Sequence, residues 1–248
     1  MSGHSKWSTI KRRKGAQDAK RGRLFAKLIR AIEVAARQGG GDPAGNPSLA
    51  TAIDKARNAS VPNENIERAI ARGSGALDGS TLEELWYEGY APGGVALYVR
   101  VLTDNRNRAA SDVRATFTRH GGNLGEPGSV AYLFEQKGYL LVEGEEDEVM
   151  SVALEAGADD LRATNGLFEV ITDPSQLPVV RDRMEGAGLH LETAEVTRLP
   201  KATVPVDRAN AGRVLRLLDL LEDLDDVQEV YANFDIPDEV MEELQAEV

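Results

Sequence analysis

The chain has 248 residues, of which 42% are hydrophobic and 28% are charged, and this balance excludes an intrinsically disordered protein. It contains no cysteine, which excludes a disulfide scaffold, a thiol nucleophile and zinc or iron–sulfur sites with thiolate ligands. The sequence has no run of about 18 apolar residues. We therefore expect no transmembrane helix and no membrane partner.

The charge is distributed unevenly. Of 29 lysines and arginines and 41 aspartates and glutamates, residues 1–72 hold 15 and 6, which leaves 14 and 35 for residues 73–248. A basic segment on an acidic body indicates a polyanionic partner for that segment. Two alternatives stay open: the basic segment serves solubility alone, or it folds onto the acidic body of its own chain.

Residues 1–17 are polar and basic without apolar periodicity, so we predict a flexible basic arm. This arm has some resemblance to a mitochondrial transit peptide, but we expect it to belong to the mature, cytoplasmic protein. A helical domain is predicted over residues 18–75, with three helices. The first has an apolar stripe at helical spacing, made of Phe25, Leu28, Ile29, Ile32 and Ala36.

The pattern changes to strands after a glycine-rich linker. We predict a discontinuous α+β domain from residues 80–135 plus 203–248, and an inserted ferredoxin-like domain over residues 136–202. The inserted domain shows the order β-α-β-β-α-β. In the first domain the predicted strands include residues 129–134, after a turn over residues 121–128.

A last helix and strand, over residues 207–222 and 227–234, cannot bury themselves alone. We expect them to return and complete the first α/β domain. The predicted fold class is therefore α+β: an N-terminal three-helix domain plus two ferredoxin-like α/β sandwich domains, the second inserted in the first.

No catalytic constellation is evident. His4, His120 and His190 have no metal-ligand spacing, and the glycine-rich stretches lack the phosphate-loop patterns. The carboxylate runs Glu145–Glu148 and Glu222–Asp226 are typical of helix ends and solvated surfaces. We expect no enzyme activity, no catalytic residue, no metal and no cofactor.

Two groups of residues suit a polyanion. The first holds ten basic residues among residues 1–30, against the single acid Asp18. Trp7 within this run can stack on an unpaired base or pack on the helical bundle. The candidate nucleic-acid-binding residues are Lys6, Trp7, Lys11, Arg12, Arg13, Lys14, Lys20, Arg21, Arg23, Lys27 and Arg30.

The second group lies where a strand leads into a helix, a junction that can bind phosphate. An ordinary helix cap with surface ion pairs explains the same residues equally well. This patch consists of Asp104, Asn105, Arg106, Asn107 and Arg108, extended by Arg114.

Several blocks carry a family resemblance. They are Gly3–Trp7, Gly40–Pro47, Val61–Ala69, Tyr87–Gly94, Thr103–Arg108 and Gly128–Phe134. In this order they resemble the YebC/PmpR family, and the match continues to residues 222–231.

The resemblance implies the three-domain α+β fold and a cytoplasmic, non-enzymatic regulator without a cofactor. Members of the family are described as DNA-binding transcriptional regulators and as ribosome-associated translation factors, including the mitochondrial translational activator of cytochrome c oxidase. Its basic N-terminal residues correspond by position to Lys6, Lys11–Lys14 and Lys20–Arg30 here, and its loop to Asp104–Arg108.

The leading hypothesis is a DNA-binding transcriptional regulatory protein. The first alternative is a translational activator that binds ribosomal RNA or the ribosome, since no recognition helix with base-reading residues is evident. A small-ligand sensor or enzyme is a further alternative and predicts a pocket with convergent polar groups. A protein-interaction adaptor would not need residues 1–20. The sequence leaves the oligomeric state open.

Overall fold

The computed structural model describes residues 18–77, 82–164, 166–237 and 239–240, and side chains from residue 22 onward. Its contacts divide the chain into two compact units. The first unit takes in the described residues up to Ser129 together with Arg208–Val230. The second takes in Val130–Asp207 and the described residues from Tyr231 onward.

Three helices open the first unit: α1 (Asp18–Gly39), α2 (Pro47–Asn58) and α3 (Asn63–Gly73). The predicted apolar stripe of α1 faces their common core, where Ile32 and Ala36 are buried among residues of α2 and α3. Because the apolar stripe packs into this core, the basic residues of α1 lie on its other face. Helices α1 and α3 lie close together at Gly73, where an added Cβ would clash with the Glu33 carbonyl oxygen.

A four-stranded sheet forms the rest of the first unit. Its order is β3-β1-β2-β9, with β1 (Glu83–Tyr90), β2 (Ala96–Thr103), β3 (Asn123–Leu124) and β9 (Val227–Ala232). Two helices belong to it, α4 (Arg106–Arg119) and α7 (Arg208–Glu222), and they pack against each other. The predicted return of the last helix and strand to this sheet is confirmed.

The prediction of a strand over residues 129–134 was wrong. Residues Ala131–Leu133 form a 3-10 turn, and the edge of the sheet is β3, within the predicted turn. Glycines allow this, because a Cβ on Gly122 would lie 2.8 Å from the Tyr90 carbonyl oxygen. Because glycine has no side chain, the backbone at Gly122 can lie directly against β1.

The second unit has the predicted ferredoxin-like order: β4 (Phe134–Glu143), α5 (Glu146–Glu155), β5 (Asp160–Thr164), β6 (Leu167–Thr172), α6 (Leu177–Gly186) and β7 (His190–Pro200). The sheet order is β5-β6-β4-β7, with antiparallel neighbours. The helices cover a core that includes Leu140, Val170 and Met184. A short parallel pair, β8 (Val204–Pro205) and β10 (Phe234–Asp235), completes the unit.

Candidate nucleic-acid interface

The basic face of α1 contacts an acidic loop of its own unit. We define the acidic loop as Glu222–Asp226, which consists of the last residue of α7 and the four residues that lead to β9. Arg23 Nη1 lies 3.4 Å from Asp223 Oδ1, and Lys27 Nζ donates to the Glu222 carbonyl oxygen. Carbonyl oxygens at the C-terminal end of a helix attract cations, so α7 contributes to this contact through its backbone as well. Part of the predicted basic surface is thus paired inside the chain.

Asp226 is the centre of this contact. Its side chain is 8% exposed, and its carboxylate lies 3.0 Å from Arg30 Nη1 and 2.9 Å from Arg108 Nη2. The Thr103 hydroxyl donates to the same carboxylate at 3.0 Å. Three partners satisfy the buried charge, which would otherwise be costly to remove from water. Asp226 therefore links α1, the end of β2 and the start of α4.

The residues before α4 form a cap. The Asn105 side chain accepts a hydrogen bond from the Arg108 backbone at 3.1 Å, and Arg108 Nη2 lies 2.8 Å from Asp104 Oδ1. The hydrogen bond from Arg108 holds the pKa of Asp104 below its usual range. The pKa of Arg108 is raised by the hydrogen bonds that it donates to two carboxylates. Asp226 has the larger effect and Asp104 the smaller one. Asn105 and Arg108 thus have the capping and ion-pairing roles that the sequence left open.

The two predicted patches meet at one cleft of about 650 Å³. Arg23 and Arg30 line it from α1, and Arg108 lines it from α4. Its acidic lining is Asp104, Asp112, Asp223, Asp225 and Asp226. Carboxylates outnumber guanidinium groups here, so a phosphate group would have to compete with the acidic loop for the arginines. The sequence leaves open that the basic segment folds onto the acidic body, but it does not indicate that this acidic run is the part that it contacts.

The other candidate residues lie apart from this cleft or cannot be placed. Arg106, Asn107 and Arg114 are exposed on α4. The arm residues Lys6, Trp7, Lys11, Arg12, Arg13 and Lys14 lie outside the described residues, as do the side chains of Lys20 and Arg21.

Strand pairing brings one histidine to two carboxylates. Glu143 is opposite His190 in the β4–β7 register, and the ligand atoms of Glu143, His190 and Glu192 lie within 4.8 Å of one another. All three residues are exposed. Such an arrangement could hold a divalent cation, but exposed acidic groups often occur together without one.

A small pocket of about 260 Å³ lies in the second unit. Two ion pairs lie in its lining: Lys137 Nζ lies 3.0 Å from Asp159, and Arg162 Nη2 lies 2.6 Å from Asp160. The hydrogen bond that Lys137 donates to Asp159 raises the pKa of Lys137. These four charges neutralise each other in pairs, so they attract a charged ligand only weakly.

Among the helices that the structure describes, none is long and apolar enough to span a membrane. A helical bundle and two antiparallel α/β sandwiches, one interrupted by the other, place the chain among multidomain α+β proteins. The family model described as TACO1/YebC protein N-terminal domain matches residues 5–76, and the model described as TACO1/YebC second and third domain matches residues 82–234. The chain belongs to the TACO1/YebC family, which confirms the resemblance seen in the sequence.

Similar proteins cover nearly the whole chain. A relative from Rubrobacter xylanophilus is 59% identical over 98% of this chain and 99% of its own length. One from Acidothermus cellulolyticus is 56% identical over 98% of this chain and all of its own. Both carry the name probable transcriptional regulatory protein. The crystal structure of the conserved hypothetical protein Aq1575 from Aquifex aeolicus is 51% identical, covers 89% of this chain and 93% of that one, and has a TM-score of 0.81.

Proposed function

We propose that this protein is a cytoplasmic, non-enzymatic regulator of gene expression that binds nucleic acid and acts in transcription, as the names of its relatives indicate. One observation carries the proposal. Residues 1–30 hold ten basic residues and one acid, whereas residues 73–248 hold 14 basic and 35 acidic residues. Such a cationic segment attracts phosphodiester backbones, while the acidic body repels them elsewhere.

The arm and the first turns of α1 supply most of the phosphate contacts in this proposal. Arg23 and Arg30 already have carboxylate partners in the acidic loop, so each exchanges one ion pair for another when it meets phosphate. Such an exchange gains little free energy. Lys6, Lys11–Lys14, Lys20 and Arg21 precede the part of α1 that contacts this loop, and we assign them the larger share of the affinity.

Contacts of this kind bind the backbone and not the bases. Phosphate contacts fix position and orientation, while sequence specificity requires contacts with base edges or with the shape of the nucleic acid. We therefore expect similar affinity for unrelated DNA duplexes. Selectivity for particular genes would then come from a protein partner or from the structure of the nucleic acid.

The test is crosslinking in cells, followed by sequencing of the attached nucleic acid. The transcriptional function predicts DNA fragments enriched near particular promoters. In vitro, a labelled DNA duplex is competed with unrelated duplexes and with a ribosomal RNA fragment. Attached ribosomal RNA, and tighter binding to that fragment than to any duplex, would contradict the transcriptional function and favour the translational activator. Recovery of neither nucleic acid would contradict both.

A further inference from the structure

Helices α4 and α7 concentrate positive charge within the acidic body. α4 has four arginines and one acid, Asp112, while α7 has three arginines and two acids, Asp219 and Glu222. Neither helix contains a lysine. These seven arginines are half of the 14 basic residues in residues 73–248. The two helices thus have a net positive charge in a region where acids exceed bases by more than two to one.

The acids of the helix pair lie toward one end, and only two of the seven arginines, Arg106 and Arg108, lie there with them. Asp226, just after α7, pairs with Arg108 in the first turn of α4. At the other end, a Cβ on Gly121, just after α4, would lie 2.5 Å from the Arg213 guanidinium group of α7. The two helices therefore run in opposite directions. At the other end, residues 113–122 and 208–218 contain no aspartate or glutamate, although Asp207 lies directly before α7.

We call four exposed residues of this region the arginine end: Arg114, Arg119, Arg213 and Arg216. Arg213 donates to the Asn210 side-chain oxygen at 3.4 Å, a neutral acceptor. Within the part of the chain that the structure describes, none of the four forms an ion pair. Arg23, Arg30 and Arg108, in contrast, all pair with aspartates.

The backbone beside the arginine end is accessible and uncharged. A Cβ on Gly121 would lie 3.6 Å from Pro92, and a Cβ on Gly93 would lie 3.7 Å from Asn210, so the turn over residues 92–94 borders this region. Gly94 has open space where a side chain would lie. A long polyanion could therefore approach without meeting a carboxylate or a bulky side chain of this turn.

We propose that the arginine end is a second nucleic-acid contact surface, separate in sequence from the basic arm, which binds the phosphodiester backbone. This proposal rests on the proposed function and extends it to a new site. The planar guanidinium group donates two parallel hydrogen bonds to a phosphate, and it stays charged at all relevant pH values. Repulsion by the acidic body confines the nucleic acid to the basic surfaces. Two contact surfaces on one chain strengthen binding when one strand reaches both.

The test uses the full chain and fluorescence anisotropy, with a labelled 20-bp DNA duplex and an RNA hairpin of similar length as probes. The double variants are R114E/R119E and R213E/R216E. The matched control is R181E/R183E, which changes two exposed arginines of α6 and alters the net charge by the same amount. We expect each arginine-end variant to bind about tenfold more weakly than the control and to lower the salt-dependence slope by about two.

Different results separate this proposal from the proposed function. If the native chain binds but both arginine-end variants match the control, the second surface is overturned and the proposed function stands. If the native chain binds neither probe, the proposed function fails as well. Equal weakening with both probes supports a contact with the phosphodiester backbone, and weakening with the hairpin alone supports an RNA contact.

Arg213 contacts Asn210, so its replacement could also disturb α7. Thermal unfolding of each variant checks this, and R213K/R216K provides a rescue because it retains both charges. Lysine keeps the charge but loses the paired hydrogen bonds of the guanidinium group, so we expect this variant to bind more tightly than R213E/R216E and more weakly than the native chain. A lysine variant as weak as R213E/R216E, with unchanged unfolding, would contradict an electrostatic role for α7.

Discussion

Asn46 joins α1 to α2 through three hydrogen bonds. Its amide group donates to the carbonyl oxygens of Ala35 at 2.8 Å and Gly40 at 2.9 Å, and its side-chain oxygen accepts from the Leu49 backbone at 3.1 Å. The residue is buried. One side chain therefore ends the first helix and begins the second, in a bundle with a small core.

The variant N46A should destabilise the protein, because the buried Ala35 carbonyl, the partly buried Gly40 carbonyl and one helix N-terminal amide each lose a hydrogen bond. We expect a loss of about 2–3 kcal/mol in the free energy of unfolding. The control is N65A, at an exposed position of α3, which should change it by less than about 0.5 kcal/mol. Chemical denaturation measures both, and equal midpoints for the two variants would contradict the role of Asn46.

The Asp104–Arg108 pair makes a prediction about pH. Because Arg108 lowers the pKa of Asp104, this pair stabilises the fold above the ordinary pKa of an aspartate and stops doing so as the pH falls through the lowered value. An NMR titration should therefore place the Asp104 midpoint below that of a free aspartate. R108Q should raise the midpoint, while R114Q, further along α4, should leave it unchanged. A midpoint that R108Q does not move would contradict the pairing.

At the scale of elements, local patterns predicted most of the fold. The apolar stripe of α1 repeats within one helix, and the ferredoxin-like order follows from successive local patterns, so both could be recognised in the sequence. The edge strand β3 could not, because it has two residues and depends on the contact of Gly122 with β1. Apolar residues before Phe134 resembled a strand, although Tyr132 among them is 63% exposed.

Contact between the basic segment and the acidic body is only one of the alternatives that the sequence leaves open. Lys27 and Glu222 are 195 residues apart, and no local pattern links positions at that distance. Charge asymmetry indicates attraction between the two regions but not which carboxylate meets which arginine. The pairing of Arg23 with Asp223, and of Arg30 and Arg108 with Asp226, therefore required the folded structure.

Neutralising the acidic loop should strengthen nucleic-acid binding, because its carboxylates compete with phosphate for the arginines of the cleft. For D223N/D225N we expect affinity for a DNA duplex to rise about two- to fivefold above that of the control. The control is D147N/E148Q, which removes two exposed charges from α5. Anisotropy at low ionic strength measures both. An equal rise in both variants would mean that only the net charge matters.

At the scale of the whole molecule, a net charge of −12 conceals a cationic N-terminal region. The acidic remainder limits where a polyanion can bind. The relatives from Rubrobacter xylanophilus and Acidothermus cellulolyticus match this chain over nearly its whole length. We expect the arm to increase the affinity for nucleic acid without contributing to the hydrophobic core. Its role is therefore separable from the stability of the fold.

Charge reversal of the arm tests that separation. The variant K11E/R12E/R13E/K14E should bind nucleic acid at least about tenfold more weakly, since four cationic contacts become repulsive. Its thermal unfolding temperature should stay within about 2 °C of the native value, because charges that do not belong to the folded core contribute little to stability. A large fall in that temperature would show that these residues belong to the folded core.

The dependence of affinity on salt concentration tests the central claim most directly. If the basic region contacts about 6–8 phosphates, the logarithm of the binding constant should fall with the logarithm of salt concentration at a slope of roughly −5 to −7. The arm variant should have a slope shallower by about 3–4 units. A slope near zero for the native chain, or the same slope for both proteins, would contradict the account.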